Sequence, residues 1–174
     1  SHGSAVAMAA GLAGFTVGSD TGGSVRWPAA LCGVVGYKAS PRHWPLDGVL
    51  PLSPELDSIG IFAASAEDAA FVETALARRP LRASPPVGAL RLAIPSEHFL
   101  DNLEPPVAAC FDAAVKRLRD AGARLVELAA PEARWIDDIF RQLVPADLLA
   151  FLGRDRVARH RELLDPVAAA RLEA

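Results

Sequence analysis

The stretch GSDTGGSVRWP, residues 18–28, constrains the fold of this chain more than any other segment. A polar, glycine-rich run from Gly18 to Gly23 lies between the apolar residues 13–17 and a segment, 25–31, whose composition suits a helix. We therefore expect a short strand, a tight loop and a short helix in succession. Serine is a favoured N-cap, and Ser24 stands where this helix would begin. The junction thus brings consecutive glycine amides and a serine hydroxyl to one helix start.

Strands and helices alternate along the rest of the chain. The patterns predict helices over residues 4–12, 66–78 and 105–119, and strands over residues 34–37, 59–63, 90–95 and 124–128. Ser65 is expected to cap the second of these helices. From residue 132 the pattern is helical to the end, with breaks expected near Pro145, Gly153 and Pro166. This alternation predicts an α/β fold, a layered mixed sheet flanked by helices.

The composition is that of a globular protein. The 174 residues, 51% hydrophobic and 22% charged, are enough for one domain with a sizeable core. A net charge of -3 gives no indication of binding to nucleic acid or to an anionic membrane. No apolar run reaches the roughly 18 residues that a membrane span needs. Cys32 and Cys110 are expected to be reduced, buried thiols rather than a disulfide.

The two ends of the chain resemble cuts within a longer protein. It begins Ser-His-Gly-Ser, with neither an initiator Met nor a signal peptide, and ends inside a helical pattern. We therefore expect an internal piece of a larger protein.

Three interpretations of Gly18–Ser24 compete. In the first, Gly-Gly permits a sharp turn and Ser24 caps the following helix. In the second, the loop cradles a phosphate, but the spacing of a phosphate-binding loop and its lysine are absent. In the third, the amides before Ser24 converge on one oxygen as an oxyanion hole, and the serine is a nucleophile for acyl transfer.

The wider sequence favours the third interpretation. The run GSAVAMAAGLAGFTVGSDTGGSVRWPAALCGVVGYK resembles the signature of the amidase signature family of serine hydrolases, and GVLPLSPELDSIG, residues 48–60, resembles the family's next segment. The resemblance is highly specific over residues 3–37 and weak beyond residue 130. It implies that residues 1–174 are part of an amidase signature domain whose N-terminal and C-terminal parts lie outside this sequence.

The resemblance also assigns roles to individual residues. Ser24 matches the acylated nucleophile, and the backbone donors of the oxyanion hole match Thr21, Gly22 and Gly23. Asp20 and Arg26 match residues that brace the loop from within, and we expect Arg26 to be buried against Asp20 or Asp57.

The family's base is a neutral lysine that acts through a bridging serine. That serine lies 24 positions before the nucleophile, so Ser1 would directly follow it, and the catalytic lysine would lie further upstream. The residues present therefore predict that the 174-residue chain alone is inactive.

Other polar residues have ordinary explanations. Lys38 matches a family lysine of structural role, Lys116 lies on the polar side of a helix, and His2 fits no serine-histidine-aspartate triad. Cys32 is expected to pack in the core, and Asp57 to cap or brace a loop through local backbone donors. Trp44 stands where the family commonly has small residues, where it either reshapes a pocket wall or packs.

The resemblance implies an amidase that cleaves the carbon–nitrogen bond of a non-peptide amide through an acyl-enzyme, with no metal and no cofactor. A small-molecule amide is the expected substrate, with no direct nucleic-acid or membrane partner, in a cytoplasmic protein that forms a homo-oligomer if it assembles at all. One alternative is the amidase subunit of a tRNA-dependent glutamyl or aspartyl amidotransferase, although residues 47–60 differ from the stretch typical of that subunit. The other is a non-catalytic scaffold of the same fold.

Overall fold

A computed structural model of the chain describes residues 1–78, 80 and 83–173. Its helices are α1 (His2–Ala9), α2 (Arg26–Cys32), α3 (Ala66–Ala77), α4 (Pro105–Asp120), α5 (Ile136–Leu152), α6 (Arg154–Arg159) and α7 (Pro166–Glu173). Its strands are β1 (Thr16–Asp20), β2 (Val35–Lys38), β3 (Ser58–Ala63), β4 (Arg91–Pro95) and β5 (Arg124–Leu128). Short 3-10 turns cover Val87–Ala89, Pro131–Trp135 and Arg161–Leu163. The predicted α/β fold is confirmed.

The chain forms two compact units, one of Ser1–Leu81 with Phe140–Ala174 and the other of Arg82–Ile139. The first unit contains a three-stranded antiparallel sheet in the order β1-β3-β2. The second contains β4 and β5, which pair in parallel, as expected for strands joined by a crossover helix such as α4.

The central strand β3 separates two small cores in the first unit. Because side chains alternate across a strand, Phe62 faces one side of the sheet, and Ile61 and Ala63 face the other. Phe62 packs with Ala5 and Met8 of α1, with Ala29 of α2, and with Val25, which directly precedes α2. Ile61 and Ala63 pack with Ala69 and Val72 of α3. The glycine-rich loop therefore leads into a helix that is seated directly on the sheet.

Two glycines let α2 approach the sheet closely. A Cβ built on Gly36 would lie 2.5 Å from the Cβ of Ala29 and 2.9 Å from the carbonyl oxygen of Val25. A Cβ on Gly60 would lie 2.7 Å from the carbonyl oxygen of Tyr37 and 2.9 Å from Val25 Cγ2. A side chain at Gly36 would press on the backbone of Val25 at the start of α2, and one at Gly60 would press on the backbone of β2 and on the Val25 side chain.

The structure corrects three expectations from the sequence. Gly18 and Ser19, expected in the loop, belong to β1 because they pair with Gly60 and Ile59. Helix α5 continues through Pro145, since a proline removes one backbone donor while the bonds on either side remain. Both cysteines are free, as predicted, but Cys32 is only half-buried and Cys110 is exposed.

The smaller details of α3 follow the sequence closely. Ser65 Oγ accepts a hydrogen bond of 3.0 Å from the Asp68 amide, so Ser65 is the N-cap, as predicted.

Across the described ranges, none of the helices combines the length and the apolar character needed to cross a membrane.

Candidate active site

The carboxylate of Asp20, at the end of β1, organises the glycine-rich loop. It is fully buried. Its Oδ1 accepts a hydrogen bond from the Gly23 amide at 2.8 Å, and its Oδ2 accepts from the amides of Val25 at 3.0 Å and Arg26 at 3.4 Å. The Arg26 guanidinium closes the arrangement, with Nη2 donating to Oδ1 at 2.9 Å and Nε donating to Oδ2 at 3.1 Å. One side chain therefore holds the loop and the first amides of α2 together.

These contacts decide the ionisation of Asp20. Burial alone raises the pKa of the carboxyl, because it disfavours the charged form. The hydrogen bond from Arg26 and the amides of Val25 and Gly23 outweigh burial and lower the pKa from 3.8 to about 2. The same pair raises the pKa of Arg26. Asp20 is thus a stable anion at neutral pH, suited to bracing a loop and not to exchanging protons.

Arg26 differs from the expectation in its burial. Its carboxylate partner is Asp20, but 53% of its side chain is exposed, so the expectation of a buried arginine is wrong. Its Nε and Nη2 bond to Asp20 while about half of the side chain is open to solvent.

Ser24 does not cap α2. The helix begins at Arg26, its N-cap position is Val25, and that residue makes no side-chain cap bond. Asp20 instead accepts hydrogen bonds from the amides of Val25 and Arg26, and so it satisfies backbone donors that an N-cap side chain would otherwise satisfy. Within the described ranges, the exposed Ser24 hydroxyl has no hydrogen-bond partner. The most common use of a serine at a helix start is therefore taken over by another residue.

The backbone amides around Ser24 divide into two groups. Among the described residues, those of Thr21, Gly22 and Ser24 have no protein acceptor, whereas that of Gly23 donates to Asp20. Gly23 has a φ of +120°, which only glycine adopts readily, so the chain turns here between the loop and Ser24. Of the three amides expected to form the oxyanion hole, those of Thr21 and Gly22 are unoccupied in the described part of the chain. The Gly23 amide is engaged with Asp20 and does not offer the donor expected of it, whereas the amide of Ser24 is also unoccupied.

A second buried carboxylate, Asp57, fixes the other side of the loop. Its Oδ1 accepts from Thr21 Oγ1 at 2.5 Å, and its Oδ2 accepts from the amides of Leu52 at 2.8 Å and Ser53 at 3.1 Å. The expected role of Asp57 as a loop brace is confirmed by these two backbone donors. The hydroxyl of the buried Ser53 in turn donates to Asp147 Oδ2 of α5 at 2.5 Å.

Phe140, at the N-terminal part of α5, lies against the loop. A Cβ built on Gly22 would lie 2.5 Å from Phe140 Cε2 and 2.6 Å from Cζ, so only glycine leaves room for this ring. Phe140 also lines a cavity of about 380 Å³, together with Val144, Pro145 and the arginines 141 and 171. The ring of Phe140 therefore packs on Gly22 and also borders this cavity.

Helix α1 brings the start of the chain to the same region. Ser1 Oγ donates to the carbonyl oxygen of Ser19 at 2.9 Å, and Ser4 Oγ donates to that of Val17 at 3.0 Å. Ser1 thus lies beside the end of β1, next to the residue that begins the loop.

The remaining sequence candidates have structural roles. Lys38 Nζ donates to the carbonyl oxygen of Ala39 at 2.6 Å, and Lys116 forms an exposed ion pair with Asp120 of α4. Cys32 packs against the core of α1 and α2, as predicted. Trp44 packs on the α3 side of the sheet, with its ring centre 6.2 Å from that of Tyr37. His2 is exposed on α1.

Sequence reasoning missed Ser53, Asp147 and Phe140. Ser53 and Asp147 are 94 positions apart, and neither stands in a pattern that indicates a site. Phe140 is one of several apolar residues of α5, and only the missing side chain of Gly22 hints that something packs there.

Several known proteins are similar to this chain over three quarters of its length or more. The 2-amino-5-chloromuconic acid deaminase of Comamonas testosteroni is 39% identical over 99% of this chain and 38% of its own length. The indoleacetamide hydrolase of Allorhizobium ampelinum is 42% identical over 75% of this chain and 28% of its own length. A glutamyl-tRNA(Gln) amidotransferase subunit of Heliobacterium modesticaldum is 34% identical over 88% of this chain and 35% of its own length. The chain thus spans less than two fifths of the length of these relatives.

A solved structure described as an amidase superposes with a TM-score of 0.86 and 30% identity, covering 98% of this chain and 39% of that one. The sequence profile of the amidase family matches residues 1–171, which include every element of the loop and its braces. The chain therefore belongs to the amidase family.

Proposed function

We propose that the protein containing this chain hydrolyses the carbon–nitrogen bond of a non-peptide amide through an acyl-enzyme on Ser24. One observation carries the proposal: an exposed serine hydroxyl without a partner stands beside three unoccupied backbone amides, among the residues described. A hydroxyl and converging amide donors are the two groups that acyl transfer needs at one carbonyl. The amide-hydrolysing relatives support the reaction class.

In the proposed reaction, Ser24 Oγ attacks the carbonyl carbon of the amide while its proton passes to a base. The carbonyl electrons move onto the oxygen, which accepts hydrogen bonds from the amides of Thr21, Gly22 and Ser24. The carbon–nitrogen bond then breaks, and the amine leaves with a proton from the same base. Water attacks the resulting ester, releases the carboxylic acid and restores the serine. Removal of one side-chain donor from the oxyanion hole of a known serine enzyme costs about 3–4 kcal/mol of transition-state stabilisation, and we expect backbone donors to contribute on the same scale.

We assign the base to residues outside this sequence. The resemblance implies a neutral lysine acting through a serine that precedes Ser1, and the bond from Ser1 Oγ to Ser19 supports a location beside the loop for that serine. We accordingly propose that residues 1–174 form part of a longer amidase domain. That proposal agrees with the share of each relative that the chain covers.

We infer that the substrate is a small-molecule amide whose acyl or amine group contacts Phe140, since its ring adjoins both Gly22 and the cavity beside it. Neither nucleic acid nor membrane is a proposed partner, and any assembly is proposed to be a homo-oligomer. We also propose a cytoplasmic location, because free thiols persist in reducing compartments.

The amidotransferase component remains the second candidate, favoured by a relative that is 34% identical. It predicts glutamine hydrolysis that depends on added partner proteins, whereas a stand-alone amidase is active by itself. A scaffold without catalysis predicts neither activity.

The test replaces Ser24 with alanine in the full-length protein and follows hydrolysis of 4-nitroacetanilide and labelling by a fluorophosphonate. Loss of the nucleophile should lower kcat at least about 10³-fold and abolish labelling, because no acyl-enzyme forms. Ser40→Ala is the matched control, since Ser40 is also an exposed serine but lies outside the loop. Retention of more than a tenth of the activity by Ser24→Ala would refute the assignment.

A further inference from the structure

The Asp57 carboxylate makes an arrangement that a simple loop brace does not require. Its side chain is 5% exposed, and both of its oxygens are engaged. Two backbone amides, of Leu52 and Ser53, occupy Oδ2 and hold the carboxylate in place. Oδ1 receives the hydroxyl of Thr21, which is 36 positions earlier in the chain. The carboxylate is therefore held by the amides of residues 52 and 53 and in turn binds Thr21 in the glycine-rich loop.

Thr21 is the last residue before Ser24 that has a side chain able to form a hydrogen bond. Gly22 and Gly23 follow Thr21 and have no side chain by which the fold could orient their peptide groups. Asp20 fixes the loop on one side through the amide of Gly23. On the other side the short bond from Thr21 Oγ1 to Asp57 is the corresponding contact, and a hydrogen bond to a carboxylate is stronger than one between neutral groups.

The segment that carries Asp57 is itself tied down. Ser53 donates its amide to Asp57 and its hydroxyl to Asp147 of α5, the same helix that presents Phe140 to Gly22. Movement of the loop would therefore have to break a series of bonds that ends on a helix within the same unit.

We propose that Asp57 is a positioning residue for acyl transfer: through the Thr21 hydroxyl it holds the Thr21 and Gly22 amides in the orientation that receives the substrate oxygen. This inference rests on the proposed function, because those amides matter only if an oxyanion forms beside Ser24. Asp57 touches no reacting atom. It restricts the rotation of the loop's peptide groups before the reaction begins. This matters because amide donors stabilise the developing negative charge on the substrate oxygen only if they are already aligned with it.

The first test is Thr21→Val in the full-length protein, which removes the hydroxyl and nearly preserves the shape of the side chain. We expect kcat for 4-nitroacetanilide to fall about 10- to 100-fold with KM changed less than about 3-fold, because small misplacements of catalytic groups have effects of this order. Thr21→Ser keeps the hydroxyl donor, and its kcat should be at least about tenfold higher than that of Thr21→Val. Thr74→Val is the control: it deletes a hydroxyl that donates to the carbonyl oxygen of Ala70 inside α3, and kcat should stay unchanged.

A double-mutant cycle separates positioning from general damage. Asp57→Asn should lower kcat in the same direction, because a neutral amide offers one acceptor oxygen where the carboxylate offers two. Thr21→Val combined with Asp57→Asn should be no slower than the slower single variant, within about 3-fold, since both break one contact. Independent, multiplicative losses would overturn the inference, as would a Thr21→Val enzyme that keeps kcat or changes only KM. If Asp57→Asn does not fold, the Thr21 pair decides the outcome.

The two proposals fail in different ways. If wild-type protein is not labelled at Ser24 by the fluorophosphonate, the proposed function fails and the inference falls with it. If labelling at Ser24 is complete and Thr21→Val still turns over at the wild-type rate, the inference alone is wrong.

Discussion

Removing the Asp20 carboxylate should destabilise the fold far more than removing its arginine partner. Asp20 is fully buried and accepts from three amides and one guanidinium, whereas 53% of the Arg26 side chain is exposed. Asp20→Asn leaves amide donors facing an amide nitrogen, so at least one buried donor loses its acceptor. Arg26→Met leaves the carboxylate with the amides of Gly23, Val25 and residue 26.

The lowered pKa of Asp20 gives the size of the expected loss in unfolding free energy. A fall from 3.8 to about 2 corresponds to about 2.5 kcal/mol, since each unit is worth about 1.4 kcal/mol. We take about 2 kcal/mol, because solvent screens the part of this effect that comes from the exposed Arg26. With one buried donor left unpaired at a further cost of about 1 kcal/mol, Asp20→Asn should lower the free energy of unfolding by about 3 kcal/mol. Arg26→Met should lower it by about 1 kcal/mol.

The sign of the pH dependence follows from the lowered pKa. A carboxyl with a lower pKa in the folded state stabilises the fold fully above its unfolded pKa, near 4, and loses that contribution as the pH falls through about 2. The stability difference between wild type and Asp20→Asn should therefore be largest above pH 5 and shrink progressively from pH 4 toward pH 2.

Urea unfolding of the full-length protein, followed by circular dichroism at pH 7, 4 and 3, measures these quantities. Arg42→Met serves as the control, because the 3.5 Å pair of Arg42 with Glu55 is highly exposed at both ends and should contribute little. The reasoning is refuted if Arg26→Met is as destabilising as Asp20→Asn, or if the difference between Asp20→Asn and wild type does not depend on pH.

Three further outcomes are expected. Gly36→Ala should lower the free energy of unfolding by about 2 kcal/mol or more, because its Cβ would press on the backbone at the start of α2. Gly3→Ala is the control, because a Cβ at Gly3 has no neighbour within 4 Å, and urea unfolding should show little change. Ser24→Ala should leave the unfolding free energy within about 0.5 kcal/mol of wild type; a loss of about 1 kcal/mol, typical of a removed N-cap, would mean that its hydroxyl does cap α2. The purified 174-residue chain should react with a fluorophosphonate far more slowly than the full-length protein, because no base within it matches the proposed one, and labelling at the full-length rate would return attention to His2 and Lys38.

Local chemistry explains why much of the fold could be predicted. Ser65, followed by Glu67 and Asp68 in the first turn, marks the start of α3 in the sequence and in the structure. The short apolar run of residues 59–63 predicted β3, and the two faces of this strand contribute to the two cores of the first unit. These features depend on neighbours within a few positions, which a sequence shows directly.

The features that the sequence did not show depend on distant partners. Gly18 and Ser19 have a loop-like composition, and only pairing with residues 59 and 60 makes them a strand. Arg26 was expected to be buried because it follows Ser24 by two positions in surroundings taken to be apolar, yet 53% of its side chain is exposed. The link from Ser53 to Asp147 spans 94 positions, and no local pattern predicts which of the chain's many carboxylates a buried serine will meet.

The central difference concerns which residue caps α2. By position and residue type, Ser24 is the favoured candidate, and a serine used in that way would have its hydroxyl occupied by a backbone amide. Asp20 accepts instead from the amides of residues 25 and 26, and it is charged, so its hydrogen bonds are stronger than a hydroxyl's. The helix start is thereby satisfied without Ser24. A single carboxylate at the end of a strand accounts for the stability of the turn and for the unengaged serine, which explains why loop stability and the proposed chemistry should respond to different substitutions.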